Sequence, residues 1–396
     1  MSSFLPSATD SITARSSAHP SHRALFAIIR RLVRASYLIE RHPDTNARSD
    51  DYAAARRATL SALVTQLTDR GDLELRSDDP RELEEIRLAA TGSSMNVAII
   101  PKDQRGRALL LKFTDSAVAS SELAASTEVQ EQLTADPRLE SWSTQVPHVL
   151  ASGMVDTTTF AIEECLSSRD GRAVAGDRAA TDALMSDALA VIGDFHRLTA
   201  TRRQVDARVL AAIVERPIDI MRAKTSAGLF RCRARALERL ASWLRLSLLG
   251  LDLEVGWTHG DFHLGNVLID DLERRVVGIV DWGRAEPDGL TVLDGFTLIA
   301  VERAKITGQE FGSYILELLE DVDRPLTDRV HGDALGELQQ LLDSDTNIDV
   351  RCVLLLTWLK HVANNLKNED RTRAHALWRL RNVDLVLYGA TGIVGS

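Results

Sequence analysis

The strongest constraint on the fold of this chain is a polar segment followed by two short β-type runs. The segment contains His259-Gly260-Asp261, and Asn266 follows the aspartate after five residues. The runs Val267–Ile269 and Val276–Val280 are joined by a charged turn, which predicts a hairpin. Asp281 stands directly after the second run. The pattern therefore predicts a carboxamide and a carboxylate on adjacent short strands, next to a further aspartate.

These residue types are suited to one kind of chemistry. Mg²⁺ is a hard cation that takes oxygen ligands, commonly one or two carboxylates together with substrate phosphates. Asn266 and Asp281 can supply such ligands, which leaves Asp261 free to orient a hydroxyl group. A base, an Asn and an Asp for metal, and a lysine elsewhere for the phosphates are the parts that phosphoryl transfer to an alcohol requires.

The motif His-Gly-Asp-x-x-x-x-Asn followed by Ile-Val-Asp-Trp resembles that of the aminoglycoside phosphotransferase and choline kinase-like family, in a less characterised branch. The resemblance covers roughly residues 85–390, and Leu264 stands where the family often has proline. It implies an α+β, two-lobed protein-kinase-like fold with a small β-rich N-lobe and a large helical C-lobe. Asp261 then resembles the catalytic base, Asn266 a metal ligand, and Asp281 the aspartate that bridges Mg²⁺ to the nucleotide phosphates.

The resemblance also requires a lysine for the phosphates at the end of the third strand, braced by a glutamate on the next helix. Lys112 directly follows three leucines and fits the first position. Glu122 and Glu128 compete for the second. Glu122 shares a helical stripe with apolar residues, whereas Glu128 falls nearer the polar side, so Glu122 is preferred.

Two further segments match parts of the nucleotide site by their position in the series. Ser93 and Ser94 lie in the loop that corresponds to the phosphate-covering loop, and their small side chains allow backbone N–H groups to approach phosphate oxygens. Glu164 and Leu166 belong to a segment that resembles the hinge between the lobes, whose backbone pairs with a purine edge. An ordinary strand end is the alternative interpretation of that segment.

The remaining site candidates have supporting or acceptor roles. His259 is expected to brace the catalytic loop, and Asp294 occupies the place of a family aspartate that supports this loop. His361, Asn365 and Asp384 lie in the helical part and are candidates for contact with the acceptor. Solvated helix faces are the alternative for those three residues.

The chain divides into four predicted regions. Residues 1–22 are rich in Ser, Ala, Pro and His and predict a disordered tail. Residues 23–80 predict an N-terminal extension of two amphipathic helices that cap the next domain; a membrane-surface helix is the alternative. Residues 81–166 form the nucleotide-binding N-lobe, and residues 167–396 form the catalytic and acceptor-binding C-lobe. Apart from the hairpin before Asp281, the C-lobe pattern is helical.

Composition narrows the class of protein. A formal net charge of −10 argues against a nucleic-acid partner, because such binding uses Lys and Arg to neutralise phosphates. It is compatible with cationic substrates, although a solvated acidic surface explains it equally simply. Three cysteines without a CxxC pair predict neither a disulfide framework nor a zinc site, and they indicate a reducing compartment, the cytoplasm.

The sequence thus predicts a small-molecule kinase that uses Mg²⁺ and ATP or GTP. Its acceptor is an aminoglycoside-like or other small molecule with a hydroxyl group. A kinase of a sugar, amino alcohol or natural-product intermediate is the alternative. A catalytically silent pseudokinase that serves as a binding scaffold is the rival from another class. The presence of Lys112, Asp261, Asn266 and Asp281 together argues against that rival.

Overall fold

The computed structural model describes most of the chain. The described residues are 26–33, 49–73, 84–86, 95–100, 108–166, 169–174, 176–224, 230–270, 274–342, 348–367 and 373–393. The tail predicted for residues 1–22 lies outside them. None of the helices in these ranges is long and apolar enough to cross a membrane.

The N-terminal part is a five-stranded antiparallel sheet with two long helices against it. Its elements are α1 (26–33), α2 (Ser49–Asp69), β1 (Glu84–Ile86), β2 (Asn96–Ile100), β3 (Leu109–Thr114), α3 (Ala117–Ala135), β4 (Val149–Val155) and β5 (Thr158–Glu164). The strand order is β1-β2-β3-β5-β4. In this register Lys112 of β3 lies between Val97 of β2 and Ala161 of β5.

The C-terminal part is mainly helical. Its helices are α4 (Arg178–Thr199), α5 (Ala207–Leu210), α6 (Arg216–Lys224), α7 (Phe230–Leu248), α8 (Val292–Thr307), α9 (Phe311–Val322), α10 (Gly332–Gln340), α11 (Val350–Lys367), α12 (Arg373–Arg379) and α13 (Leu385–Ile393). Together with the small sheet, they form the α+β, two-lobed arrangement that the sequence predicted.

The helical part also contains more strands than the sequence predicted. They are β6 (Arg169–Asp170), β7 (Thr201–Gln204), β8 (Asp252–Thr258), β9 (Val267–Ile269), β10 (Val276–Ile279) and β11 (Glu286–Leu290). Only the β9–β10 hairpin was expected. The strands form two small sheets with the orders β10-β9-β6 and β11-β8-β7. The paired strands among these lie far apart in sequence, so no local hairpin pattern predicts them.

The N-terminal extension is divided between the two lobes. Leu60, Leu63, Val64 and Leu67 of α2 belong to the apolar core under the small sheet, so α2 caps the N-lobe. Ile29 and Val33 of α1 instead belong to the large core of the helical lobe. Arg30 forms an ion pair with Glu320 of α9 at 3.0 Å. The expectation that both helices cap the next domain was therefore wrong for α1, because its apolar residues Ile29 and Val33 pack against the helical lobe.

An aromatic cluster lies where α3 and α4 approach the β9–β10 hairpin. Trp282, directly after Asp281, is fully buried. Its ring centroid lies 5.9 Å from that of Trp142 and 5.3 Å from that of Phe195. Its indole N–H donates to the carbonyl of Ile279 at 2.8 Å. Because a buried indole with a satisfied N–H has little freedom, the cluster holds Asp281 in place.

Replacing Leu67 with alanine tests the assignment of α2 to the small-lobe core. The side chain is fully buried, so we expect Leu67→Ala to lower the free energy of unfolding by about 2–5 kcal/mol. Leu32→Ala on α1 is the matched control, because Leu32 is 52% exposed; we expect a change below about 0.5 kcal/mol. Urea unfolding followed by circular dichroism measures both, and equal losses in the two variants would contradict the assignment.

Candidate active site

A buried carboxylate organises the loop that carries His259, Gly260 and Asp261. Asp294, in the first turn of α8, accepts hydrogen bonds from the backbone N–H of His259 at 2.7 Å and of Gly260 at 2.9 Å. His196 of α4 contacts the same carboxylate through Nε2 at 3.1 Å. Burial raises the pKa of Asp294, but the His196 hydrogen bond and nearby positive charge outweigh it and hold the pKa below the usual value. The geometry fits the supporting role predicted for Asp294.

Gly260 is needed for the turn of this loop. Its φ is +78°, in the left-handed region that favours glycine. A Cβ atom there would lie 2.2 Å from the carbonyl oxygen of Arg284. The backbone can therefore pass close to the segment after β10 only without a side chain.

His259 ties the loop to the end of β10. Its Nε2 lies 2.8 Å from the carbonyl oxygen of Val280, to which it donates, and its Nδ1 accepts the backbone N–H of Asp261 at 3.3 Å. The ring is fully buried and packs on Trp282 with a centroid distance of 4.7 Å. Both ring nitrogens are thus engaged, an arrangement that suits a bracing role better than proton transfer.

Asp261 is held as a carboxylate by its surroundings. Its Oδ2 accepts a hydrogen bond from the Arg284 guanidinium at 3.0 Å. Burial raises the pKa of Asp261, but Arg284, and then His263 and His361, hold it below the usual value. The group is therefore ionised near neutral pH and can accept a hydrogen bond from a hydroxyl.

Asn266 and Asp281 provide a donor set that fits a hard cation. The Nδ2 group of Asn266 donates to the carbonyl of Asp261 at 2.9 Å, so the amide oxygen is the atom left for a ligand. The backbone carbonyl of Asn266 accepts the N–H of Val280 at 2.9 Å, which brings it next to Asp281. Asp281 is exposed, with a left-handed φ of +65° that turns it out of the strand. An amide oxygen and an open carboxylate are ligands that Mg²⁺ accepts, with the remaining positions left to phosphates and water.

Lys112 has a different partner from the one expected. Its ammonium forms an ion pair with Glu163 of β5 at 2.8 Å, and Glu163 is 1% exposed. Burial lowers the pKa of Lys112, but Glu163 and Asp281 outweigh it and raise the pKa, so the ammonium stays charged. Glu122 is half-buried and Glu128 exposed on α3, and neither pairs with Lys112 in the part of the chain that the structure describes. The expected Lys112–Glu122 pair was therefore wrong.

The register of the sheet explains this correction. Ala161 is the direct neighbour of Lys112 across the β3–β5 ladder. Side chains two residues apart on a strand share a face, so Glu163 lies diagonally beside Lys112. A charged residue at the end of the apolar run Phe160-Ala161-Ile162 was a usable sequence signal, because a buried carboxylate needs a cationic partner.

The other nucleotide candidates are only partly described. Ser93 and Ser94 lie outside the described residues. In the hinge segment, the backbone N–H of Glu164 donates to the backbone carbonyl of His148 at 2.8 Å. The backbone N–H of Cys165 donates to the backbone carbonyl of Ala108 at 2.9 Å. The Leu166 side chain covers Gly278 of β10, where a Cβ would lie 2.4 Å from its Cδ1. The segment therefore runs from the small sheet onto the β9–β10 hairpin, and its contact with a purine stays a prediction.

The three acceptor candidates have different surroundings. His361 stacks on Phe311 with ring centroids 4.1 Å apart, and burial lowers its pKa to about 4, although Asp261 opposes the shift. It is therefore a neutral ring near the base. Asn365 donates to the carbonyl of His361 within α11 at 2.9 Å. Asp384 is paired with Arg233 of α7 at 2.6 Å and is largely buried. That pair already neutralises Asp384, so the expectation that it meets the acceptor is not supported.

Sequence reasoning missed two cations beside the base. Arg284 contacts Asp261 as described, and Lys360 of α11 donates to Thr258 at 3.1 Å and forms an ion pair with Glu286 at 3.2 Å. Arg284 stands only three residues after Asp281, so its nearness to the site was a usable signal. Lys360 is about a hundred residues from the loop, and only the packing of α11 reveals its position.

Comparison with known proteins supports one family. The model of the Phosphotransferase enzyme family matches residues 84–290, just over half of the chain. No curated protein sequence matches.

Three solved structures are among the similar ones. One, from Ralstonia eutropha JMP134, has been proposed to be an aminoglycoside phosphotransferase; it has 13% identity, a TM-score of 0.49 and coverage of 84% of this chain and 97% of its own. Aminoglycoside-3'-phosphotransferase of type VIII has 17% identity, a TM-score of 0.41 and coverage of 70% and 94%. APH(3'')-Id from Streptomyces rimosus, in complex with ADP and streptomycin, has 15% identity, a TM-score of 0.41 and coverage of 75% and 98%.

The family model spans the small sheet, the polar loop and the hairpin that ends at Asp281. These are the segments on which the geometry above depends. The chain belongs to the Phosphotransferase enzyme family.

Proposed function

We propose that this phosphotransferase moves the γ-phosphoryl group of ATP or GTP, with Mg²⁺, to a hydroxyl group of a small molecule. The observation that carries the proposal is a convergence of charges between the lobes. Asp281 interacts electrostatically with Lys112 of the small sheet. Asn266 is bonded both to the loop of Asp261 and to the strand that precedes Asp281. Hydrogen bonds thereby join the base to the two metal ligands, and the phosphate-binding lysine interacts with one of these ligands electrostatically, as phosphoryl transfer requires.

Lys112 serves the nucleotide in this proposal. An ammonium has three N–H donors, and the ion pair with Glu163 engages one side of it. The remaining donors are available for the α- and β-phosphate oxygens. The nucleotide base lies against the hinge segment of Glu164 and Leu166, and the role of Ser93 and Ser94 as part of the phosphate-covering loop stays a prediction from the sequence.

Asn266 and Asp281 would hold the metal. Mg²⁺, when bound, neutralises the charge of the β- and γ-phosphates. Asn266 contributes an amide oxygen whose orientation is set by its bond to the carbonyl of Asp261. Asp281 contributes an exposed carboxylate that the buried Trp282 keeps in position.

Asp261 orients the acceptor. As the hydroxyl oxygen forms its bond to the γ-phosphorus, the bond from that phosphorus to the β–γ bridging oxygen breaks, and the nucleoside diphosphate leaves. The hydroxyl proton passes to the Asp261 carboxylate late in the step. Most of the rate enhancement in such a transfer comes from positioning and charge stabilisation.

The alternatives differ in acceptor or in class. A sugar, amino alcohol or natural-product intermediate would be phosphorylated by the same residues. A silent pseudokinase is disfavoured because Lys112, Asp261, Asn266 and Asp281 are all present, and a binding scaffold has no physical need for the full set.

Asp261→Asn tests the base. We expect nucleotide affinity by calorimetry to change little, while acceptor-dependent turnover falls by roughly 10²-fold or more, because the amide cannot take a proton. Asp333→Asn is the matched control, since Asp333 ends a second His-Gly-Asp triplet at the start of α10; we expect full turnover. Unchanged turnover in Asp261→Asn would contradict the role, and joint loss of binding and turnover would assign Asp261 to the fold or the metal.

Asp281→Ala tests the metal site. We expect loss of Mg²⁺-dependent nucleotide turnover with an unchanged near-ultraviolet circular dichroism spectrum, because the side chain is exposed and Trp282 remains packed. In the wild type, EDTA should stop turnover and added Mg²⁺ should restore it. Wild-type turnover by Asp281→Ala at limiting Mg²⁺ would be incompatible with the assignment.

Lys112→Ala should lower turnover by orders of magnitude through lost phosphate alignment. Glu163→Gln should raise the KM for nucleotide and lower turnover, because the ammonium loses its charged partner. Glu122→Gln is the control and should behave as the wild type. If Glu122→Gln lowers turnover and Glu163→Gln does not, the Lys112–Glu163 pair is not the one that supports nucleotide binding.

A further inference from the structure

A cleft opens beside the catalytic loop, between α6, β11 and α11. Two of its lining residues connect it directly to the loop. Asn364 donates to the carbonyl of Gly260 at 3.3 Å, and Lys360 donates to Thr258 at 3.1 Å. The cleft therefore adjoins the loop that carries Asp261.

The walls of this acceptor cleft are apolar with a few charged groups. Ile213, Pro217, Ile220, Leu290 and Leu293 supply apolar surface. Such walls with a small number of convergent polar side chains are typical of ligand sites, in which the polar groups decide specificity.

The charged groups of the cleft are mainly positive. Arg216, Lys360 and Lys367 line it, and Glu286 is the one acid among its lining residues in the described part of the chain. Arg284 adds a fourth cation where it contacts Asp261. A positive cleft departs from the chain as a whole, which has a net charge of −10.

Two of these cations are exposed and have no ion-pair partner among the described residues. Lys360 is paired with Glu286 and Arg284 with Asp261. Within the described residues, neither Arg216 nor Lys367 forms an ion pair. The Lys367 ammonium donates to the amide oxygen of Asn364 at 3.5 Å.

The positive charges of the cleft repel one another. Burial lowers the pKa of Lys367, and Arg284, Lys360 and Arg216 lower it further, while Glu286 opposes the shift. Mutual repulsion of this kind is relieved by a bound anion. A polycationic acceptor would increase it.

We propose that the acceptor of this enzyme carries a negatively charged group, a carboxylate or a phosphate, beside the hydroxyl that is phosphorylated. The anionic group binds Arg216 and Lys367 in the acceptor cleft, and the hydroxyl lies at Asp261. Arg284 keeps its ion pair with Asp261 and adds positive charge on this side of the loop. The inference rests on the proposed function and narrows its acceptor from any small hydroxyl compound to an anionic one.

The test uses sugars that differ mainly in charge. Calorimetry with the full chain saturated with ADP and Mg²⁺ compares D-gluconate and D-glucose 6-phosphate with neutral D-glucose and cationic D-glucosamine. We expect an anionic probe to bind about tenfold or more tightly than glucose, the scale of one charged hydrogen bond. Saturation with ADP keeps these anions out of the nucleotide site, and the two anionic probes separate carboxylate from phosphate recognition.

Matched variants connect binding to the cleft. The double variant Arg216→Gln/Lys367→Gln should lose that preference. Arg222→Gln/Lys224→Gln removes the same two charge types from α6 outside the cleft and should keep it. Equal loss in both variants, tighter binding of glucosamine, or no preference for either anion in the wild type would overturn the inference.

A separate measurement distinguishes this failure from failure of the proposed function. Slow, acceptor-independent hydrolysis of ATP that disappears in Asp281→Ala supports the kinase chemistry whatever the acceptor is. If this hydrolysis is present but no anion is preferred, the anionic acceptor is wrong and the proposed function stands. If the hydrolysis is absent and transfer to any of the four sugars is also absent, the proposed function fails first.

Discussion

The arrangement of the candidate site depends on the hydrogen bonds made by the Asp294 carboxylate. It accepts two consecutive backbone N–H groups of the loop before Asp261 and is itself bonded to His196. Hydrogen bonds to a buried carboxylate are stronger than those between neutral groups, and losing one leaves an unpaired charge. The turn at Gly260 is thereby tied to both α4 and α8. His259 extends the same network to the end of β10, so Asp261, Asn266 and Asp281 share one hydrogen-bonded support.

The second organising feature is the balance of charge around Asp261. Burial alone would favour the protonated acid, and Arg284 keeps the carboxylate ionised. The same guanidinium belongs to a group of cations on the acceptor side, where Arg216 and Lys367 lack carboxylate partners among the described residues. In the proposal of an anionic acceptor, the charges that stabilise the Asp261 carboxylate also disfavour positively charged acceptors. The proposal thus places acceptor specificity in a cleft that the catalytic motif does not encode.

The buried lysine of the small lobe has its anionic partner within the same sheet. Lys112 needs an anionic partner to remain an ordered cation after burial, and Glu163 provides it from the neighbouring strand. Because both residues belong to one hydrogen-bonded sheet, the pair does not depend on the position of α3. Half-buried Glu122 on that helix does not have this role.

The N-terminal extension, which precedes the region matched by the family model, contacts both lobes. Its helix α2 packs on the sheet, and its helix α1 packs on the helical lobe.

Sequence alone was sufficient for the two-lobed fold, the β9–β10 hairpin and the candidates Lys112, Asp261, Asn266 and Asp281. Those features depend on short-range spacing and strand alternation, which are local properties of the chain. The tertiary structure decided what lies opposite these residues: Glu163 instead of Glu122 beside Lys112, and a cationic cleft built from helices far apart in sequence. It also pairs Asp384 with Arg233, so the predicted contact of Asp384 with the acceptor is not supported. The ion-pair partners of Lys112 and Asp384 depend on which helices and strands pack together in the fold. A local sequence pattern does not indicate which elements will pack together.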